Sequence, residues 1–227
     1  MKRAGAVTYA VAVLWIAAGM PARGQTKQKL PLLAHSNFAS GGAAGWSPKD
    51  PTHWRVVEMF GSVVYELTAP GEQGRVRAPT AWSVWIGNDV TSFEFSGRLR
   101  CYTDPAVSGR DMCVFFHYRD PTHFGYVHFS GESAEFHNII GLVDGKDRIK
   151  INTEPAGKSA ARLTDLAWHR FKVAYDAETG EIRAFLDDMT MPILTARDRT
   201  LGYGLVGIGS FDDTGCFADL ELRGIRK

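Results

Sequence analysis

The stretch from Cys113 to Ser130, CVFFHYRDPTHFGYVHFS, decides the fold class of this chain. Two runs of aromatic and β-branched residues flank the turn signal Asp-Pro-Thr-His at residues 120–123. At such a turn Asp accepts backbone hydrogen bonds and Pro fixes the φ angle. The stretch therefore predicts two antiparallel strands joined by a short turn.

The same combination of short apolar runs and turn residues continues through the chain. Side-chain character alternates with a period near two, and the 24 glycines and 10 prolines lie mostly between the runs. Turns at roughly ten-residue intervals are typical of an antiparallel sandwich. The candidate strands span residues 53–58, 62–69, 91–103, 112–119, 124–130, 135–143, 148–153, 169–176, 181–188, 204–210 and 216–225. The sequence therefore predicts an all-β protein.

The N-terminus has the features of an export signal. Two basic residues precede an apolar stretch at residues 4–20, and small residues Ala22 and Gly24 come just before Gln25. This order favours a secretory signal peptide over residues 1–24. A membrane anchor is the alternative, but the apolar stretch is short for a span and polar sequence follows it at once. We expect an exported protein, periplasmic or extracellular, with no membrane span after cleavage.

Length and charge limit what the mature chain can be. Residues 25–44 are expected to form an N-terminal extension and residues 45–227 one β-sandwich domain, since sandwiches of about 200 residues are often undivided. The 26 basic and 25 acidic residues leave a net charge of +1. This balance gives no electrostatic reason to expect nucleic acid and favours neutral or weakly charged partners.

Three cysteines are an odd number for an exported chain, so at most one bridge can form. Cys101 and Cys113 flank a turn-like segment and can face each other across a hairpin. Isolated thiols are equally common as small buried hydrophobic groups. The sequence leaves both alternatives open.

Two C-terminal stretches resemble the closing strands of concanavalin A-like lectin and glucanase domains. They are WHRFKVAYDAETGEIRAFLDD at residues 168–188 and GYGLVGIGSFDDTGCFADLELRG at residues 202–224. The group includes laminin-G-like modules and the 3-keto-disaccharide hydrolase domain, whose strands end in Asp-Gly where this chain has Asp187-Asp188. The stretch from Cys113 to Ser130 is also similar to a segment of these domains.

The resemblance covers residues 45–226 and implies a fold and a place for ligands. The implied fold is two packed antiparallel sheets in jelly-roll order. Glycans are then expected on a concave sheet face or at its rim.

Alternation and the turn signals predict a hairpin register for the histidine-rich segment. A turn at residues 120–123 places His117 opposite Tyr126, and a second turn places His128 opposite His137. The apolar face is then expected to face the core; it comprises Val114, Phe116, Val127, Phe129, Phe136 and Asn138. The opposite face is expected to carry His117, Arg119, Tyr126, His128, Glu135 and His137. Such a face suits a saccharide, although a polar face can also simply meet solvent.

The resemblance to 3-keto-disaccharide hydrolases implies a reaction. A keto group acidifies the neighbouring C–H bond, so a base and a cationic group suffice for cleavage. We assign His128 or His137 as the base and Arg119 as the group that polarises the carbonyl. His117, Tyr126 and Glu135 are expected to bind the saccharide.

Two tryptophans are expected close to the saccharide site. Trp82 and Trp85 lie in a segment rich in Pro and Ser, so we expect them at the rim of the site.

The Glu-x-Asp-x-x-Glu motif of the glucanases is missing, so ordinary glucanase chemistry is not supported. A non-catalytic lectin-like module and a structural envelope protein remain alternatives.

Metal binding and oligomeric state are not decided by the sequence. A zinc centre of three histidines is disfavoured because His117 lies too far from His137 in the assigned register. Asp212, Asp213 and Asp219 leave calcium open, because hard oxygen ligands suit that ion. Clustered Asp at a turn is equally explained by turn chemistry.

Overall fold

The computed structural model describes residues 29–40, 42–154 and 161–227. The predicted signal peptide and the first residues of the extension lie outside the described residues. The strands are β1 Leu32–Ser36, β2 Trp46–Pro48, β3 Trp54–Met59, β4 Ser62–Leu67, β5 Ala81–Trp85, β6 Val90–Cys101, β7 Asp111–Asp120, β8 His123–Ser130, β9 Ile139–Asp144, β10 Ile149–Lys150, β11 His169–Asp176, β12 Glu181–Leu186, β13 Leu194–Arg197, β14 Leu205–Ser210 and β15 Gly215–Arg226. A single turn of 3-10 helix, Pro51–His53, precedes β3.

The strands form two antiparallel sheets. One has eight strands in the order β13-β12-β11-β6-β15-β4-β3, with β1 also paired to β15. The other has seven strands in the order β10-β9-β8-β7-β14-β5-β2. The predicted all-β, two-sheet antiparallel sandwich is confirmed. Among the described residues, no helix has the length and apolar character needed to cross a membrane.

The predicted N-terminal extension contributes to the sandwich. Its residues Leu32–Ser36 pair with β15, and Phe38 is buried in the core. The sandwich therefore starts upstream of the predicted boundary at residue 45.

Apolar side chains from both sheets fill the space between them. On β7 and β8 the inward positions are occupied by Val114, Phe116, Val127 and Phe129, as predicted from alternation. Phe136 and Asn138 were assigned to the same face but follow the end of β8. Because they lie outside the ladder, alternation does not determine where their side chains point.

The seven-stranded sheet carries a second apolar cluster on its outer face. The cluster comprises Val76, Ala78, Trp82, Val84, Cys113, Phe115, Phe124, Tyr126, Val143 and Phe211. Tyr126 is fully buried in it, and its ring lies over Gly141, where a Cβ atom would come within 2.4 Å. The expectation of a wholly polar outer face is therefore wrong.

Trp82 and Trp85 do not lie at an exposed rim. They belong to β5, where Trp82 is buried in the outer cluster and Trp85 in the inter-sheet core. The Pro and Ser residues of this segment suggested a loop. They instead lie beside and within a short buried strand.

All three cysteines are free and buried. Cys101 lies in the inter-sheet core, whereas Cys113 lies in the outer cluster. Cys101 points into the core from β6 of the eight-stranded sheet, whereas Cys113 points outward from β7 of the seven-stranded sheet, so the bridge left open by the sequence does not form.

A bulge in β7 changes the predicted register. Phe115 pairs with Tyr126, and Phe116 with Gly125, before the pairing resumes between Asp120 and His123. Residues 117–119 therefore stand opposite Phe124 alone. The predicted pairing of His117 with Tyr126 is wrong, because it assumed an unbroken ladder.

The bulge turns His117 into the space between the sheets. Its φ angle is 49°, in the left-handed region. The buried ring packs edge-on against Tyr175, with centroids 4.4 Å apart, and Nε2 lies 3.2 Å from the carbonyl oxygen of Thr91. Burial lowers the pKa of His117 to about 4. His117 is thus a neutral core residue and does not belong to the predicted binding face.

This buried imidazole predicts a pH dependence of stability. The unfolded chain binds a proton at His117 near pH 6.5, whereas the folded chain does so near pH 4. The stabilisation that comes from keeping this ring neutral is therefore complete above pH 6.5. As the pH falls from 6.5 to 4 it is lost, and the free energy of unfolding decreases by about 3 kcal/mol. Urea unfolding between pH 7 and pH 4 should show this loss in the wild type and a smaller one in His117→Asn, which accommodates the left-handed φ angle.

The matched control is His35→Asn, which removes an exposed imidazole. It should keep the wild-type pH dependence. Equal slopes for His117→Asn and the wild type would contradict the assignment.

Candidate functional site

A cavity of about 290 Å³ opens beside the outer cluster, next to the ends of β7, β8 and β14. It is lined by Arg77, Val107, Gly109, Arg110, His128, His137, Arg148, Phe211, Asp212 and Asp213. Polar groups from six separate segments therefore meet at one place.

A buried pair of a histidine and an aspartate forms the base of this cavity. His128 Nε2 lies 2.8 Å from Asp111 Oδ2, although the two are poorly aligned for a hydrogen bond. His128 Nδ1 lies 2.8 Å from the carbonyl oxygen of Phe136. Both ring nitrogens therefore face acceptors, which removes His128 from the role of a base.

The Asp111 carboxylate also holds the turn that follows β14. It accepts hydrogen bonds from the Ser210 hydroxyl and from the Phe211 backbone N–H, the latter at 3.1 Å. Burial acts to raise the pKa of Asp111, but the charge and contact of His128 and these two hydrogen bonds bring it below the ordinary value. The carboxylate is therefore ionised and fixes the Phe211 ring 4.8 Å from the ring of His128.

Asp213 completes the same network. Its carboxylate accepts a 2.6 Å hydrogen bond from the Asp111 backbone N–H and a further one from the Thr103 hydroxyl. Burial, together with the negative charge of Asp111, raises the pKa of Asp213. The presence of Asp213 at this turn is thus explained by the hydrogen bonds that it accepts.

A second histidine reaches the cavity from the segment between β8 and β9. His137 Nδ1 lies 2.5 Å from Glu132 Oε1, and its ring centroid is 5.4 Å from that of His128. The segment is tied to the sandwich by a 2.8 Å hydrogen bond from Gly131 N–H to the Arg110 carbonyl. With Nδ1 donating to Glu132, the neutral ring presents the lone pair of Nε2, and the described part of the chain places no hydrogen-bond partner there.

Arg148 forms another wall of the cavity. Its guanidinium lies 4.7 Å from the centroid of the Phe211 ring and 4.9 Å from that of Phe136. The Arg148 backbone N–H donates to the Arg77 carbonyl at 3.0 Å, which brings both arginines to the same side. Within the described residues, Nε and Nη1 of Arg148 are buried without a hydrogen-bond partner.

The structure brings together only part of the predicted site. The rings of His128 and His137 are neighbours, but the predicted pairing of the two is wrong, because His128 pairs with Ile139 and His137 precedes β9. Tyr126 lies beneath them with its ring 6.4 Å from that of His128. Glu135 is exposed on the same segment as His137 but does not line the cavity.

Arg119 is separated from the histidines. Its guanidinium stacks on Tyr203 at 4.2 Å and donates to the Leu201 carbonyl at the other end of β7. Its predicted role at a substrate carbonyl beside His128 is therefore wrong, because the strand length separates the two.

The three aspartates considered as calcium ligands do not lie together. Asp219 forms an ion pair with Arg98 on the eight-stranded sheet, 2.6 Å between Nη2 and Oδ2. Asp212 and Asp213 instead lie near Asp111, with one carboxylate oxygen of each within 4.8 Å of the others. The predicted set of Asp212, Asp213 and Asp219 is therefore not a single cluster.

Sequence reasoning missed several groups that line or support the cavity. Glu132, Asp111, Arg148 and Phe211 had no motif to mark them. Asp111 and Cys113 are two residues apart on one strand, so their side chains lie on the same face of the sheet. The pairing of Cys113 with His128 across strands required the register.

The sandwich is of the concanavalin A-like and galectin-like type, which defines the class of fold. No family model and no curated protein sequence matches the chain. Solved structures do: the carbohydrate-binding module CBM66 from Bacillus subtilis is 12% identical with a TM-score of 0.54, covering 79% of this chain and 96% of that one.

Two further structures are similar to the same extent. A protein of unknown function with a galectin-like fold from Bacillus subtilis is 12% identical with a TM-score of 0.52, over 88% of this chain and 99% of that one. Peanut lectin is 13% identical with a TM-score of 0.52, over 83% and 95%. At such identities the likeness establishes the fold alone.

The buried carboxylate of Asp111 at the base of the cavity predicts the effect of a mutation. Replacing Asp111 by Asn removes the charge that faces His128 and one acceptor of the turn. We expect the free energy of unfolding to fall by about 3 kcal/mol, because one partner of a buried pair is left uncompensated. Urea denaturation at pH 7 measures this change.

Asp144→Asn is the matched control, because Asp144 lies 3.7 Å from His123 Nε2 in a half-exposed pair on the same sheet. It should change stability by less than about 0.5 kcal/mol. Similar losses in the two variants would contradict a special role for Asp111.

Proposed function

We propose that this protein, in the exported form expected from its N-terminus, binds a saccharide in the cavity beside His128 and His137. The observation that carries this proposal is the convergence of Phe211, His137 and Arg148 on one cavity of about 290 Å³. An aromatic ring packs against sugar C–H groups, while imidazole and guanidinium nitrogens hydrogen-bond to hydroxyls. This combination of apolar wall and few oriented polar groups is typical of small-molecule sites.

The fold supports the same function. CBM66 is described as a carbohydrate-binding module, and peanut lectin is likewise named as a lectin. The comparison supplies a precedent for carbohydrate binding on this architecture. The assignment to this chain rests on its own cavity, since function belongs to sites and not to folds.

His137 provides the direct test of binding. Its Nε2 faces the cavity, so His137→Ala should weaken binding by about fivefold to tenfold, the effect of one lost hydrogen bond. Calorimetric titration against a panel of neutral, keto-modified and acidic oligosaccharides measures the affinity. Thermal melts should move little, because His137 lies on a connecting segment at the surface.

His123→Ala is the matched control. His123 is 37% exposed and His137 is 34% exposed, and each has a carboxylate partner. Only His137 lines the cavity. Absence of binding by the wild type to every member of the panel, or equal losses in the two variants, would refute the proposed function.

The Glu132–His137 pair favours a second candidate, cleavage of 3-keto-glycosides. In this reaction His137 Nε2 takes the proton from the carbon next to the keto group, and the electron pair forms a double bond as the glycosidic C–O bond breaks. The leaving oxygen then takes a proton. Glu132 orients the ring and stabilises the imidazolium, and a guanidinium of the cavity replaces Arg119 as the cationic group.

Release of the leaving group from 3-keto-glucosides, followed by chromatography, separates catalysis from binding. Catalysis predicts turnover in the wild type that falls at least about a hundredfold in His137→Ala, the usual contribution of a general base. Glu132→Gln should retain part of the activity with a shifted pH profile, because the base itself remains. Binding without turnover in the wild type would leave the non-catalytic lectin-like function.

A further inference from the structure

We infer that the saccharide held in this cavity carries a carboxylate, which the guanidinium of Arg148 binds. This inference rests on the function proposed above and names the chemical class of the ligand. A uronic acid residue of an acidic oligosaccharide has the required group.

The hydrogen bonding of Arg148 is incomplete. Nε and Nη1 are buried, and no acceptor among the described residues reaches them. Guanidinium groups are donors only, and a buried donor without an acceptor costs free energy. An acceptor supplied by a ligand therefore removes an existing cost in addition to forming a new contact.

The position of Arg148 is well defined. The rings of Phe136 and Phe211 lie 4.9 and 4.7 Å from its guanidinium carbon. Such stacking restrains the plane of the group while leaving its N–H edges available. A planar carboxylate matches a restrained guanidinium better than a single hydroxyl does, because its two oxygens can each accept a charge-assisted hydrogen bond.

The charges around Arg148 favour an anion. Arg77 also lines the cavity, and neither arginine forms an ion pair with a described residue. By contrast, the carboxylates of Asp111, Glu132 and Asp213 are already engaged by His128, His137 and the turn after β14.

Two further charged residues line the cavity. Asp212 is exposed at its edge. Arg110 directs two nitrogens to the carbonyls of Asp165 and Cys101. Arg77, Arg110 and Arg148 are therefore the cations of the cavity that form no ion pair with a described carboxylate, and Arg148 is the one whose Nε and Nη1 are both buried without an acceptor.

The test compares each acidic oligosaccharide with its own carboxyl-reduced form. Oligosaccharides of glucuronate, galacturonate and mannuronate are titrated calorimetrically into the full mature protein, beside the neutral sugars made by reducing their carboxyl groups. The wild type should bind at least one acid about tenfold or more tightly than its reduced form, since hydrogen bonds to charged groups are the strong ones. The preference should shrink as the salt concentration rises.

Two variants locate the carboxylate. Arg148→Gln should abolish the preference for the acid while leaving affinity for the reduced sugar within about threefold, and Arg148→Lys should recover only part of it because the planar fork is lost. Arg77→Gln, at a second position, changes an exposed side chain and should also reduce the preference; it keeps the test decisive where Arg148→Gln fails to fold.

The matched control is Arg100→Gln. Arg100 stacks on Phe60 at 3.8 Å on the other sheet and does not line the cavity. Its replacement should leave the acid preference unchanged.

The outcomes separate this inference from the function on which it rests. Equal binding of acid and reduced sugar would overturn the carboxylate inference while supporting saccharide binding. Binding of inorganic sulfate or free acetate as tightly as the uronate would also overturn it, because the site would then bind an anion and not a saccharide. No binding of any sugar, acid or neutral, would overturn both.

Discussion

The buried carboxylate of Asp111 is the group on which the architecture of the cavity depends. It lies at the start of β7, faces His128 at 2.8 Å on the neighbouring strand, and accepts hydrogen bonds from the turn after β14. A charge buried to this degree persists only when it is paired and hydrogen-bonded. The requirement to satisfy one carboxylate therefore fixes three separate segments around a common point.

The rest of the site follows from those fixed segments. Phe211 is held beside His128, and its ring in turn supports the guanidinium of Arg148. His137 is placed by the segment between β8 and β9 and is oriented by Glu132. The inner residues Asp111 and His128 contact one another and backbone groups of the neighbouring segments, so that chemistry at the cavity is left to the outer residues His137 and Arg148. A rigid interior that supports a few unsatisfied surface groups is the arrangement expected of a preorganised binding site.

The bulge in β7 divides the roles of the histidines. Before it, alternation holds, and His128 faces outward opposite Cys113. At the bulge the ladder gains residues, so His117 turns inward and becomes a neutral core group. Two imidazoles of one hairpin thus occupy opposite faces of the sheet. Bulges redirect side chains without changing the strand pattern visible in the sequence.

The sequence by itself determined the all-β class, most of the strands and the inward face of the central hairpin, because alternation and turn chemistry are local. It also brought His128 and His137 to the same neighbourhood. It did not reveal β5, whose buried Trp82 and Trp85 stand among loop-like residues. The bulge at His117, the separation of Arg119 and the partnership of Asp111 with Ser210 and Phe211 were decided only by the tertiary structure. The partnership of Asp111 depends on contacts between residues about 100 positions apart and on the satisfaction of buried charge, for which no local pattern exists.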